Sequence, residues 1–225
     1  LWPDGIISII SPVGTTALRN QLPYCGVSVF MMVIKIIGIF ILAYALGNLS
    51  PAYIVAKLAG GFDIREQGSG NAGATNVLRL LGWRYGALVF VLDVLKGLAA
   101  VGAGYWLGGT SGMTAAAFGV VLGHDFPAVP NFRGGKGIAA TTGILLNLFP
   151  VPTLIGILVF VVVVLLTKMV SLGSLVFVVS MAVYTLISGQ PAALVAVAVG
   201  LAVFAVVRHR ANIQRILAGV ENKIT

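Results

Sequence analysis

The chain is predicted to fold as an all-α polytopic membrane bundle of about seven transmembrane helices, two of them short, with the N-terminus outside and the C-terminus cytoplasmic. Three observations predict it. Hydrophobic residues make up 59% of the 225 and charged residues only 9%, with a mean hydropathy of +1.05, which leaves too little polar surface to cover a soluble globule. Long apolar runs recur through the chain, separated by short turns. The cations fall almost wholly on alternate connections between those runs.

The runs lie at residues 33–56, 85–107, 112–123, 137–149, 151–167, 169–188 and 191–207. Those at 112–123 and 137–149 fall short of the ~20 residues that cross ~30 Å of hydrocarbon. Each therefore reads as a short span or as a re-entrant segment, and a five-span arrangement remains an alternative to seven crossings. Turn chemistry ends the runs at Gly108-Gly109-Thr110-Ser111-Gly112, at Phe149-Pro150-Val151-Pro152 and at Ser188-Gly189-Gln190-Pro191, none of which holds a charge. Of the fourteen Lys and Arg residues, Lys57, Arg65, Arg79, Arg84, Arg133, Lys136, Lys168, Arg208, Arg210, Arg215 and Lys223 sit on the alternate connections. The positive-inside rule makes that side cytoplasmic. Asp93 and Lys96, at i and i+3 within one run, read as a buried pair that neutralises itself or as a wall of a substrate cavity.

Residues 1–30 differ from the rest. They contain Pro3, Pro12 and Pro23, lack a basic n-region for a signal peptide, and precede Met31-Met32. They read as an N-terminal extension without an assigned function, with a single domain over 31–225. The lone Cys25 excludes a disulfide framework or thiolate cluster. Carboxylates and histidines are too few and scattered for a metal ligand set, so no metal or cofactor is expected. A net charge of +8 suggests nucleic acid, but the cations flank spans without interleaved aromatics, so none is expected as a partner.

Polar chemistry concentrates in three stretches. In Gly68–Arg79 (GSGNAGATNVLR), Gly68, Gly70 and Gly73 free the backbone to present amide hydrogens to an anion, with Ser69, Asn71, Thr75 and Asn76 adding neutral donors. Ala74–Leu81 reads as the start of a helix, whose N-terminal dipole favours an anion, and Arg79 supplies a guanidinium. The segment matches neither the nucleotide P-loop nor the dinucleotide fingerprint, and a plain glycine-rich cap is the alternative. In the second stretch, Gly134, Gly135, Lys136 and Gly137 open an apolar helix and repeat the same logic with an ammonium. His124, just before Asp125 and the Pro127/Pro130 turn, is a cap or a site residue. In the third, Arg208, His209, Asn212 and Arg215 share helical spacings at the end of the last span, and Glu221 and Asn222 close the segment beyond Gly219. A basic anchor for anionic headgroups is the alternative there.

These stretches, with Gly47-Asn48-Leu49-Ser50-Pro51, Leu92-Asp93-Val94-Leu95-Lys96-Gly97 and Ser171-Leu172-Gly173-Ser174, resemble the bacterial acyl-phosphate-dependent glycerol-3-phosphate acyltransferases, the PlsY family, over about Ile39–Thr225. The resemblance implies transfer of a fatty acyl group from acyl phosphate to the sn-1 hydroxyl of glycerol 3-phosphate, releasing phosphate and lysophosphatidic acid. It implies an enzyme of phospholipid synthesis in the bacterial inner membrane, its site at the cytoplasmic face, fed by an upstream enzyme that forms acyl phosphate.

By the same resemblance, Ser174, His209 and Asn212 join Ser69, Arg79 and Lys136, and Glu221 counts with the phosphate-binding residues. His209 is expected to take the hydroxyl proton or to orient substrate, with the leaving phosphate as the other candidate base. Asn212 is a candidate donor to the carbonyl oxygen. No histidine has the H-x-x-x-x-D spacing of acyltransferases that use acyl-thioester donors, and an acyl phosphate needs no covalent intermediate. A transporter of organic phosphate is the rival reading, opposed by the clustering of polar motifs on one side.

Overall fold

A computed structural model describes residues 13–128 and 133–224, with side chains from residue 27 onward. Most of the expected 1–30 extension, Cys25 included, and Pro130 lie outside these described side chains. Helices run in the order α1 (Val13–Asn48), α2 (Pro51–Gly60), α3 (Ala74–Leu81), α4 (Trp83–Asp125), α5 (Ile138–Leu148), α6 (Pro150–Thr167), α7 (Val170–Ile187), α8 (Ala192–Arg208) and α9 (Arg210–Leu217), with no strand among the described residues. The chain is an all-α membrane bundle, as its composition predicts.

α4 is two arms rather than one rod. Gly109 has φ 58° and ψ −149°, a conformation that only glycine adopts freely, and next to Gly108 it breaks the helix. A Cβ on Gly104 would stand 2.6 Å from Ala116 Cβ and 2.7 Å from Gly112 O, so the arms fold back against each other. This is the expected glycine turn. Trp83 and Tyr85 are exposed at one end of the first arm, and Tyr105 and Trp106 at the other. At ~1.5 Å per residue the two tryptophans stand about 35 Å apart, which suits a pair of aromatic belts flanking the hydrocarbon.

The second arm runs alongside α1 in the same direction. Gly108 meets Ile36 and Ile39 at one end, while Gly123 meets Tyr44 and Gly47 at the other. Small residues let these backbones touch, as suits helices in lipid. α5 runs parallel to the first arm, with Gly97 against Ala140, and a Cβ on Gly102 would stand 3.8 Å from Asn147 Nδ2. Its 11 residues extend only ~16 Å, confirming it as short. α6 and α7 form a hairpin in which a Cβ on Gly156 would stand 2.9 Å from the Phe177 ring and one on Gly173 2.9 Å from the Phe160 ring. Among the described residues four helices are long and apolar enough to cross, five if the 62° bend between α8 and α9 lies within one span. The two arms of α4 and the short α5 complete the correspondence with the seven apolar runs.

One boundary differs from expectation. The run at 33–56 is broken at Leu49–Ser50, because Pro51 cannot continue the ladder of α1 and Ser50 instead caps α2, its Oγ accepting from Tyr53 N at 3.3 Å. The interior is assembled from Val101, Ala117, Val120, Ile144, Val197 and Leu201 where α1, α4, α5 and α8 meet. Leu42, Leu158 and Leu166 face outward, as lipid requires. Asp93 and Lys96 form the expected pair at 2.8 Å, and Lys96 Nζ also donates to the carbonyls of Gly47 (3.2 Å) and Leu49 (2.9 Å) at the broken end of α1. Their charges thus staple α4 to α1.

Candidate active site

All three polar stretches meet at one end of the bundle. The fold-back of α4 and the direction of α5 put the loops before α3 and α5 together, and the C-terminal strap returns over them. Ile224 N donates to Lys168 O at 2.9 Å and Arg79 Nη2 to Asn222 O at 3.2 Å. Between these elements lies a cavity of about 410 Å³. Ser69, Gly70, Asn71, Thr75, Asn76, Arg79, His124, Gly134, Lys136, Ser174, His209, Asn212 and Glu221 all reach its wall, whereas Gly68 and Gly135 do not.

The loop before α3 is built differently from the sequence expectation. Its amides do not all point at an anion: Ser69 N–H donates to Asn76 Oδ1 (3.0 Å), Gly70 N–H to Gln67 O (3.0 Å) and Gly73 N–H to Asn71 O (3.0 Å). Asn76, almost fully buried, also donates from Nδ2 to Ile64 O and Gln67 O, so it organises the loop instead of offering free donors. Gly68 and Gly70 are needed for φ values of 60° and 70°. What remains for a ligand is the Ser69 hydroxyl, Asn71, Thr75, Arg79 and the amides of Ala74 and Thr75 at the start of α3, whose N-cap Gly73 provides no side-chain cap, the Asn76 N–H being taken by Gly73 O.

The second loop is tied down from several directions. Gly135 N–H donates to His124 O at 3.0 Å, so this amide too is withdrawn from ligand binding. A Cβ on Gly135 would collide with His124 Nε2, which only glycine avoids. His124 Nδ1 in turn lies 3.1 Å from Lys96 Nζ and 3.3 Å from Asp93 Oδ1, so the buried pair supports the loop from below. Gly137 caps α5 at φ 71° without a side-chain bond, leaving the first-turn amides of a second helix open beside Ile138 and Ala139 on the wall. Lys136 Nζ donates to Asn212 Oδ1. Burial, with Arg215, Arg208 and Arg79 adding to it against the pull of Glu221, pushes the Lys136 ammonium down to about 8.

The third stretch holds the proton chemistry. His209 Nδ1 lies 2.7 Å from Ala205 O; a carbonyl only accepts, so Nδ1 bears the hydrogen and Nε2 of the neutral ring is a lone pair. Asn212 Nδ2 donates to Glu221 Oε1 at 2.6 Å while its Oδ1 takes the Lys136 proton, which leaves one N–H for a carbonyl oxygen. Glu221 also accepts from Ser171 Oγ (2.9 Å) and Arg215 Nε (2.9 Å). Burial raises its carboxyl, but these three hydrogen bonds outweigh that and hold it below the usual carboxylate range. It faces Asn212 as a buried anchor.

Sequence reasoning missed Ser171, Arg208 and Arg215 as wall residues. Ser171 stands three before Ser174 on the same helical face, a spacing that points to it. The same lining also includes the apolar side chains of Phe90, Ile138, Phe160 and Val170. One chamber thus offers cations, open helix N-termini and apolar side chains together, a lining for an amphiphile with an anionic head.

The family model described as glycerol-3-phosphate acyltransferase matches residues 37–219. A glycerol-3-phosphate acyltransferase of Clostridioides difficile is 46% identical over 86% of this chain and 98% of its own. One from a Thermoanaerobacter species is 45% identical over 82% and 93%. Two solved structures of PlsY, an integral membrane glycerol 3-phosphate acyltransferase, superpose on the fold. Its glycerol 3-phosphate form is 36% identical with a TM-score of 0.80, covering 84% of this chain and 96% of that one. Its lysophosphatidic acid form is 34% identical with a TM-score of 0.77, over 84% and 95%.

Proposed function

Because the chain belongs to the glycerol-3-phosphate acyltransferase family of PlsY, we propose that it acylates the sn-1 hydroxyl of glycerol 3-phosphate with acyl phosphate as donor, giving lysophosphatidic acid and inorganic phosphate. The observation that supports this most is the chamber itself. Two uncapped helix N-termini, those of α3 and α5, open beside Arg79 and Lys136 in one cavity that is also lined by apolar side chains. Both proposed substrates bring a phosphate, and only the donor brings an acyl chain, which suits the wall of Phe90, Phe160 and Val170.

In this reading the hydroxyl oxygen attacks the carbonyl carbon of the mixed anhydride, the carbon to bridging-oxygen bond breaks, and phosphate leaves. The hydroxyl proton passes to His209 Nε2 or to the departing phosphate oxygen. Ser69, Asn71, Thr75, Arg79 and Lys136 hold the two phosphates, and Ser174 lines the same wall. The remaining N–H of Asn212 faces the carbonyl oxygen as charge builds there. No side chain need form an acyl intermediate, since the donor is already activated and proximity supplies the rest. The cation-rich end is placed in the cytoplasm, with the N-terminus outside and the protein in the bacterial inner membrane. An enzyme that forms acyl phosphate must act before it.

Purified protein in detergent, given acyl phosphate and glycerol 3-phosphate, is expected to release phosphate and form lysophosphatidic acid in equal amounts. Product formation from an acyl thioester, or phosphate release with no lipid product, would overturn the donor assignment.

A further inference from the structure

Arg208, the last residue of α8, reads in sequence as a basic anchor for headgroups, yet its guanidinium turns inward. Nη2 and Nε donate to the carbonyl oxygen of Gly135 at 2.7 and 3.2 Å. The group lies 4.8 Å over the ring of Phe126, and its Nε stands 3.7 Å from Asp125 Oδ2. Asp125 is fully buried and neither of its carboxylate oxygens accepts a hydrogen bond among the described residues. Arg208 stands within ion-pair distance of it, with His124, Lys96 and Lys136 also close enough to act on it. On its other side Gly135 donates to His124 O, with the His124 ring against its Cα.

Such a grip matters in a segment this pliable. With glycine at 134, 135 and 137, three of the residues around the Gly135–Lys136 peptide put little steric restraint of their own on its orientation. A trans peptide points its C=O and N–H in opposite directions, so rotation would exchange an acceptor for a donor beside the anion. It would also redirect Lys136, whose ammonium reaches the cavity from this peptide. Two donors from one rigid fork fix a carbonyl direction in a way that a single donor does not.

We propose that Arg208 is a positioning residue, balanced by Asp125, that sets the orientation of the Gly135–Lys136 peptide and thereby keeps the loop before α5 in its phosphate-binding form. The inference rests on the reading of that loop as a phosphate site. Its failure is separable, because the wild-type protein forming lysophosphatidic acid tests the reaction, whereas the variants below test the positioning.

The experiment measures kcat and KM for each substrate in Arg208→Gln, Arg208→Lys and Asp125→Asn, together with Tm in detergent and competitive inhibition by inorganic phosphate. Arg208→Gln is expected to raise KM for one phosphate substrate, and weaken inhibition by phosphate, by about tenfold or more, the equivalent of one charge-assisted hydrogen bond. Its kcat is expected to change by less than about threefold, since ground-state and transition-state binding are lost together. Arg208→Lys, keeping the charge and one donor, should fall between, and Asp125→Asn should move KM the same way by less. Unchanged KM in both arginine variants would overturn the inference. So would a loss confined to kcat, which would put Arg208 on the reacting atoms, or a fall in Tm that accounts for the loss in both variants.

Discussion

Replacing Lys136 by methionine separates binding chemistry from folding more sharply than any other change. The side chain is half-buried, its Nζ donating to Asn212 and surrounded by Arg79, Arg208 and Arg215, with Glu221 as the opposing charge. Losing one charge-assisted hydrogen bond to phosphate costs ~1.5–3 kcal/mol, or about 10- to 150-fold. If the ammonium also meets charge growing on the leaving phosphate, kcat/KM falls by about 10²–10³-fold. Stability moves the other way. The folded protein holds this lysine at about 8, below its ordinary 10.5, so between those values the unfolded chain binds more protons and stability rises with pH. Below about 8 the charged form is a burden on the fold, and Lys136→Met removes it. The variant should therefore unfold at a Tm equal to or above wild type at pH 7 while losing activity. For the wild type, kcat/KM reports the free enzyme and is expected to fall as pH rises through about 8, the point at which Lys136 loses its charge. Lys136→Arg, charged throughout, should lose that limb. Full activity in Lys136→Met, or an unmoved alkaline limb in Lys136→Arg, refutes the reasoning.

Other perturbations follow from the same contacts. Gly135→Ala places a methyl on His124 Nε2 and should reduce kcat/KM by about 10²-fold, since a small misplacement of binding groups costs that much; His124→Ala in the same protein should restore part of it. Asp93→Asn or Lys96→Met alone leaves a buried charge unpaired and should lower stability by about 3–5 kcal/mol, with the double variant recovering most of it in thermal unfolding. Single cysteines placed at Lys223 and at Gln190, with Cys25 replaced, report sidedness: in intact cells an impermeant thiol reagent should label the second and spare the first. Replacing His209 by Gln should flatten the acidic side of the rate profile if its Nε2 takes the proton, and leave it unchanged if the leaving phosphate does.

The bundle was largely legible because lipid imposes simple rules. Apolar runs, uncharged glycine and proline turns, and cations on alternate loops together predict the helices, and the fold-back at Gly108-Gly109 follows from residue type alone. The break at Leu49–Ser50 is hidden because apolar residues resume beyond it at 52–56, although Ser50-Pro51 is a helix start. Within the site the residue types led to residues that share one chamber, but not to which of their amides are left unbonded. Gly68, Gly70 and Gly73 suggest free amides, but a glycine-rich loop must first satisfy itself, and Asn76 does that by reaching carbonyls nine and twelve residues back. Ser171 and Glu221 are 50 residues apart, and Arg208 and Gly135 are 73 apart. Such pairings depend on which helix ends meet, which no local pattern encodes.

The central claim is acyl transfer by attack on the carbonyl carbon of acyl phosphate, and the fate of its bridging oxygen tests it most directly. With that oxygen labelled as ¹⁸O, turnover with glycerol 3-phosphate is expected to deliver the label to the released phosphate and none to the lysophosphatidic acid. Unlabelled phosphate would mean cleavage at phosphorus, and labelled phosphate released without lipid product would mean hydrolysis; either result contradicts the account.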